Sequence, residues 1–440
     1  MSYSSFRTLG YHHAIQFAEG FSEPAATVGY IILGKSAAWD ANDTAPAIVD
    51  SEYLRHDVMN AAFGGKKIVG NDLSLVLPRR DWAANVVYTA YNDRANSLFA
   101  SANGQYVYTA DRSVYRCLSN ANSTVSTVEP TGDYSVDNGF IETADGYVWK
   151  YEYAVVSSNK FITTSWIPVP TEQGVAYYGS ANNTVEGAVS QLVVISGGTG
   201  YGNTNTTITI VGNGSGATAN ANVSDGILRF CDMLTIGSDY TYQNCTVTVT
   251  GSGTGANVRP VLSPSQGHTY NPARELGANT VMISTKIGET DSTEDNKISA
   301  NNDFRQIGLL VSPHKYDETL PVSSANANSA VLLASTILVT TGSAYTRDEL
   351  IYQGTDLANS TYRAVLTDFA INDLFVTDQL GTIQLGSVLK GNTSAVSRTA
   401  VSMTDPELDP RSGELLYIEN RAAVSRAIGQ AENIKFVISF

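Results

Sequence analysis

The sequence repeats itself once, and the repeat limits what the surrounding chain can become. Tyr201 through Ala217 ends in Thr-Ile-Thr-Ile-Val-Gly-Asn-Gly-Ser-Gly-Ala. Tyr240 through Ala256, thirty-nine residues on, ends in Thr-Val-Thr-Val-Thr-Gly-Ser-Gly-Thr-Gly-Ala. Each copy offers a run of β-branched residues, which suit a pleated strand, and then glycines free to adopt left-handed backbone. Two copies are too few for a solenoid. The pattern predicts a small β-sandwich or barrel made of two similar halves within residues 185–265, a stretch dominated by Gly, Thr, Asn and Ser.

The rest of the 440 residues carries strand signals more than helix signals. Tyr147, Trp149, Tyr151 and Tyr153 alternate with Val148, Lys150 and Glu152 after the turn pair Asp145-Gly146, so one face of that strand is wholly aromatic. An aromatic core face is the expected use; a stacking platform for sugars is the alternative. Strands are also expected at Tyr30–Leu33, Ser113–Leu118, Val281–Ile287, Ile307–Val311 and Leu415–Ile418, and at the alternating C-terminal run Ile434–Phe440. A second Thr/Ser/Gly-rich block, residues 323–400, predicts short strands at Leu350–Tyr352, Tyr362–Leu366, Leu374–Val376 and Val388–Leu389. Helices are expected over residues 7–19 and after Asp50 or Ser51, the latter ended by Gly64-Gly65.

Composition narrows the function classes. Charged residues are 16% of the chain and the formal net charge is −15, so phosphate backbones and anionic lipid are poor partners. The apolar stretch near Val331–Val339 is far shorter than the roughly 20 residues that span a bilayer. Neither nucleic acid nor membrane is expected as a partner. Cys117, Cys231 and Cys245 are too scattered for a disulfide framework and read as reduced thiols. No signal-peptide core follows Met1.

No residue set announces chemistry. His12 and His13 are adjacent and point apart on a helix. Cys231, Cys245 and His268 lack metal-ligand spacing and read as core residues. The acidic loop Glu289–Asp295 lacks the alternating ligands and central glycine of a calcium loop. Gly197-Gly198 and Gly212–Gly216 read as turns, not phosphate cradles, and no Gly-x-Ser-x-Gly elbow is present. Catalytic, cofactor-binding and metal residues are therefore assigned as none, and no cofactor is expected. One cluster remains: Pro78, Arg79, Arg80, Asp81 and Trp82, at the end of an apolar run from Leu73. It reads as a structural joint between domains, with the arginines paired to carboxylates.

Several segments, taken in order, resemble the baseplate wedge family encoded by gene eight of T-even-type contractile-tailed bacteriophages. They are Ser5-Phe6-Arg7-Thr8, Gly34–Trp39, Leu77–Trp82, Val114–Leu118, Asp145–Trp149, Ala278-Asn279-Thr280 and Phe304–Ile307. Ser412-Gly413-Glu414, Tyr417–Arg421, Glu432-Asn433-Ile434 and the terminal Phe440 complete the series. The resemblance covers residues 1–175, 271–315 and 405–440. It implies a structural subunit with no enzymatic activity. Such a subunit is a homodimer that contacts other baseplate wedge proteins, located in the virion tail baseplate and assembled in the host cytoplasm. The blocks at 185–265 and 321–400 are expected to decorate the baseplate or dock tail-fibre components or a neighbouring wedge protein. A tail-associated adhesin that binds host glycans is the alternative.

The expected fold class is mainly β and multidomain. Residues 1–85, 271–320 and 401–440 form a discontinuous β-rich core domain. The resemblance implies a second β domain, residues 86–184, inserted in the first. Residues 185–270 and 321–400, which have no counterpart in the family, add two small β-modules. A few short helices complete the expectation.

Overall fold

The computed structural model describes residues 8–23, 25–94, 104–135, 139–155, 159–171, 185–288, 297–300 and 302–440. The protein is mainly β, with several sheets and one closed barrel. Among the described residues its α-helices are short: Thr8–Glu19, Glu52–Ala61 and Pro272–Leu276. Among the described residues, no helix is long and apolar enough to cross a membrane. Two compact units emerge. One comprises Met1–Gln16, Ser74–Met282 and Val437–Phe440; the other comprises Phe17–Leu73 and Ile283–Phe436.

In the first unit, a four-stranded antiparallel sheet runs in the order Tyr106–Tyr108, Ser113–Asn120, Tyr147–Ala154, Phe140–Glu142. Gly146, at φ 82°, supplies the left-handed residue of the turn that Asp145-Gly146 predicts. The aromatic face is core. Tyr147, Trp149 and Tyr151 pack with Tyr88, Val107, Tyr115, Cys117 and Ile141, and the Tyr147 and Trp149 rings stack with centroids 5.4 Å apart. The alternation therefore predicts the buried face correctly. It does not predict that the opposite face, with Arg116, Lys150 and Glu152, is buried as well.

The repeated segment folds as three two-stranded antiparallel ribbons around one core: Val189–Thr199 with Thr254–Leu262, Thr207–Val211 with Thr246–Thr250, and Ser215–Ser224 with Ile227–Ser238. The ribbons obey a local two-fold. Val223 pairs with Leu228 as Leu262 pairs with Val189, and Ala217 with Ile236 as Ala256 with Gly197. Thr209 faces Thr248, its own equivalent, on the axis. Even the register shifts correspond, at Thr218/Ala219 and Asn257/Val258. A tyrosine pins each half to the other: Ala217 N–H donates to Tyr240 Oη and Ala256 N–H to Tyr201 Oη, both at 3.3 Å. Gly198 and Gly237, both at φ 61°, leave room for these rings.

The second unit joins a five-stranded sheet to the barrel. The sheet runs Ala330–Leu332, Ala62–Ile68, Gly29–Gly34, Asp303–Val311, Glu414–Ser425. Ser51 caps Glu52–Ala61 through Leu54 N–H at 3.2 Å, as expected. The Gly64-Gly65 expectation is corrected: the helix stops at Ala61, and both glycines lie inside the following strand. A Cβ on Gly64 would meet the Lys297 carbonyl and one on Gly65 would touch Val331, so close packing explains them. Leu415–Ile418 belongs to a longer, half-buried strand rather than a compact apolar one.

The closed barrel orders its strands Ser335–Val339, Asp373–Gly381, Ser360–Ala370, Leu350–Gly354, Val388–Gly391, Ser397–Thr404. Its interior is apolar, with Ile337, Ile351, Leu366, Leu374, Val376 and Leu389 buried. Glu349 ties a loop to it by accepting from the N–H groups of Thr346, Thr393 and Ser394 and from Ser394 Oγ.

Candidate functional site

The residues read as a joint sit at the start of the aromatic sheet. Pro78 closes the strand Leu73–Pro78, which pairs with Trp166–Pro168. Its carbonyl accepts from Tyr106 Oη at 2.6 Å. Arg79 binds Asp81 at 2.8 Å, donates to the Thr163 carbonyl at 3.2 Å and lies over the Tyr108 ring. Arg80 lies over the Tyr106 ring. Asp81 bridges to Tyr108, and Trp82 donates from Nε1 to Ser126 Oγ at 3.2 Å. These partners all belong to the first unit, and the chain passes from the second unit into it at Leu73–Ser74. The cluster therefore anchors a strand end and opens the aromatic sheet.

A second constellation lies behind that sheet, on the face opposite the aromatic rings. The strand pairing sets Arg116 beside Lys150, with Glu152 two residues on and therefore on the same face. Asn271 caps the short helix Pro272–Leu276, and Gly277, left-handed at φ 75°, closes it. That helix carries Glu275. Arg116 and His268 Nδ1 both bond Glu275 Oε1, and Thr269 N–H donates to Oε2 at 2.8 Å. His268 Nε2 lies 2.9 Å from Ser190 Oγ. Arg116 also donates to Gln105 Oε1 at 2.8 Å and stacks on Tyr91.

Burial governs the electrostatics. Burial alone would raise Glu275, but Arg116 first, then His268 and the Thr269 amide, bring its carboxyl down to about 2. Glu275 is thus ionised and only accepts. It follows that His268 carries its proton on Nδ1 and that Nε2 accepts from the Ser190 hydroxyl. Burial also depresses His268, keeping the ring neutral. Glu152 goes the other way: burial, reinforced by the charge of Glu275, pushes its carboxyl well above the usual range. Lys150 is lowered by burial to about 8.

Glu152, His268 and Glu275 place ligand atoms within 4.8 Å of one another, a metal-like spacing. The donor set does not fit a cation. Both ring nitrogens of His268 are committed, and Arg116 already supplies positive charge to Glu275. The arrangement can instead pass a proton between Ser190 Oγ and His268 Nε2, with the Glu275 carboxylate holding the ring in place.

Of the residues weighed from sequence, His12 and His13 are exposed on their helix. Cys231 and Cys245 lie in the core of the repeated segment, where burial raises their thiols to about 12 and about 11. All three cysteines are free. Glu289–Asp295 lies outside the described residues. His268 is more than a core residue, because it joins the buried network. Sequence spacing carries no signal for that network, whose members lie up to 159 residues apart. The one available hint is charge at Lys150 and Glu152 inside an otherwise aromatic strand.

A comparison with protein families returns no match. A search of curated proteins finds baseplate wedge protein gp8 of Enterobacteria phage T4, 27% identical over 205 residues. The similarity covers 38% of this chain, which spans 59% of that relative's length. The chain is thus distantly similar, over part of its length, to a structural component of a phage tail baseplate.

Proposed function

We propose that this chain is a structural subunit of a contractile-tailed bacteriophage baseplate, acting as a homodimer that links neighbouring wedge proteins in the virion. The observation that supports this reading is the partial similarity to baseplate wedge protein gp8. The buried aromatic face leaves no stacking platform there for a glycan, which disfavours the adhesin alternative. Interfaces of an obligate assembly are expected to bury roughly 2,000 Å² or more. Residues 1–85, 271–320 and 401–440 would supply the assembling core, and residues 185–270 and 321–400 would add contacts peculiar to this phage. Light scattering on the purified chain tests the reading: a dimer mass is expected, and a monomer at micromolar concentration counts against it.

In this role Pro78–Trp82 fixes where the chain enters the aromatic sheet. Asp81→Ala removes the carboxylate partner of Arg79, leaving it the Thr163 carbonyl and the Tyr108 ring, and should impair assembly while both units stay folded. Loss of cooperative unfolding in that variant would show that the cluster is needed for folding itself.

A further inference from the structure

The buried network contains a constellation that a purely structural subunit does not need. Ser190 Oγ, His268 and Glu275 stand in line, hydroxyl to Nε2 and Nδ1–H to carboxylate. That is the nucleophile–base–orienter order of serine acyl transfer, which is recognised by geometry and not by sequence position. Ser190 also lines a cavity of about 510 Å³ between the aromatic sheet and the repeated segment. We propose that Ser190 is an acyl-accepting nucleophile and that this cavity takes the O-acyl ester of a polyol such as a saccharide.

The lining fits that class. Asn122, Glu142 and Arg229 offer donors and acceptors for hydroxyl groups, while Leu192 and Met233 offer apolar surface for a short acyl chain. The cavity wall includes Ala121, Asn122 and Ser123, three successive non-glycine residues in left-handed backbone at φ 48°, 58° and 65°. Backbone amides in such turns form concavities that favour negative charge. The Ser123 amide is taken by Asn120 Oδ1 at 3.1 Å, so the amides of Ala121 and Asn122 are the donors we assign to the developing oxyanion. Its strain is the kind that collects at working sites.

The chemistry balances within these residues and water. Ser190 Oγ attacks the ester carbonyl carbon as its proton passes to His268 Nε2. The carbon–oxygen bond to the alcohol breaks, and the leaving alkoxide takes that proton. Water then attacks the acyl-serine through the same nitrogen, releasing the carboxylic acid and restoring the serine. Ser190 and His268 are the catalytic residues. Glu275 is a positioning residue that fixes the Nδ1–H tautomer and stabilises the imidazolium. Because Arg116 shares its carboxylate, that stabilisation is weakened and turnover should be slow.

The test uses the full-length chain, a fluorophosphonate probe and p-nitrophenyl acetate. One covalent adduct is expected, mapped by peptide mass to Ser190 and absent in Ser190→Ala. Ester turnover should fall by about 10²-fold or more in Ser190→Ala and in His268→Gln. In the wild type it should rise with pH as His268 loses its proton, and Glu275→Gln should displace that midpoint downward, which a purely structural carboxylate would not do. Absence of an adduct on the folded wild type would overturn the proposal. So would labelling and turnover that persist unchanged in Ser190→Ala.

Discussion

The repeated segment and the barrel are both small, glycine- and threonine-rich β structures, yet they hold together in different ways. The barrel closes its hydrogen-bond ladder on itself and fills the interior with aliphatic side chains that are almost wholly buried. Closure removes the exposed strand edges that would invite mispairing. The repeated segment has no continuous ladder. Three separate ribbons share a thinner core in which Ile210, Val247, Val249 and Ala256 are only partly covered. It compensates with symmetric polar pins, the two tyrosine hydroxyls that cross from one half to the other. One sequence character therefore supports either an enclosed core or a duplicated, cross-pinned one, and the difference lies in where the large apolar residues fall.

Matched leucine truncations should expose that difference most strongly. Leu374→Ala in the barrel should cost toward the upper part of about 2–5 kcal/mol, because the closed wall cannot collapse on the cavity. Leu192→Ala in the repeated segment should fall toward the lower part of the same range. Equal losses in urea unfolding would mean that the barrel core is no better enclosed. The pins are tested next. Tyr201→Phe and Tyr240→Phe each strand one amide, at a cost of about 1–3 kcal/mol. The two costs should agree within about 0.5 kcal/mol, and a larger gap would show that the symmetry is one of form and not of energy.

The smallest expected effect has the opposite sign. Ile371 turns the barrel hairpin between Ser360–Ala370 and Asp373–Gly381 at φ 55°, with 88% of its surface exposed. Buried Arg398 holds that turn by donating to the Ile371 carbonyl and to Asn372. A left-handed β-branched residue carries about 1–2 kcal/mol of strain. Glycine gives back roughly 0.5–1 kcal/mol through the freedom of its unfolded chain. Ile371→Gly should thus raise stability by a fraction of a kcal/mol, seen as a slightly higher thermal midpoint. A fall would place the side chain in a contact that matters.

Local pattern made much of the fold legible. Alternation located the aromatic strand, the Asp145-Gly146 pair located its turn, and the repeat announced two similar halves. The ribbons' closure was not legible, since nothing in either copy says that Thr209 will face Thr248. Gly64-Gly65 misled because glycine serves helix ends and tight packing alike, and only the Lys297 carbonyl beside Gly64 decides between them. The buried network was the least readable. Alternation marked one face as aromatic and carried no sign that Lys150 and Glu152, on the other, are buried as well. Glu275, His268 and Ser190, which cover that face beside Arg116, arrive from distant parts of the chain.

The two-fold of the repeated segment has a topological consequence. Under it, the tight Asp225-Gly226 reversal in one half corresponds to the place where Gly187 and Ser263 meet in the other, and there Ser263 N–H donates to the Ala188 carbonyl at 2.8 Å. The remaining protein is attached where its twin has only a hairpin. Seen from inside the segment, every other residue of the chain occupies the position of a single reverse turn. A circular permutant opened at Asp225-Gly226, with a short link between Ser263 and Gly187, would restore the same three ribbons.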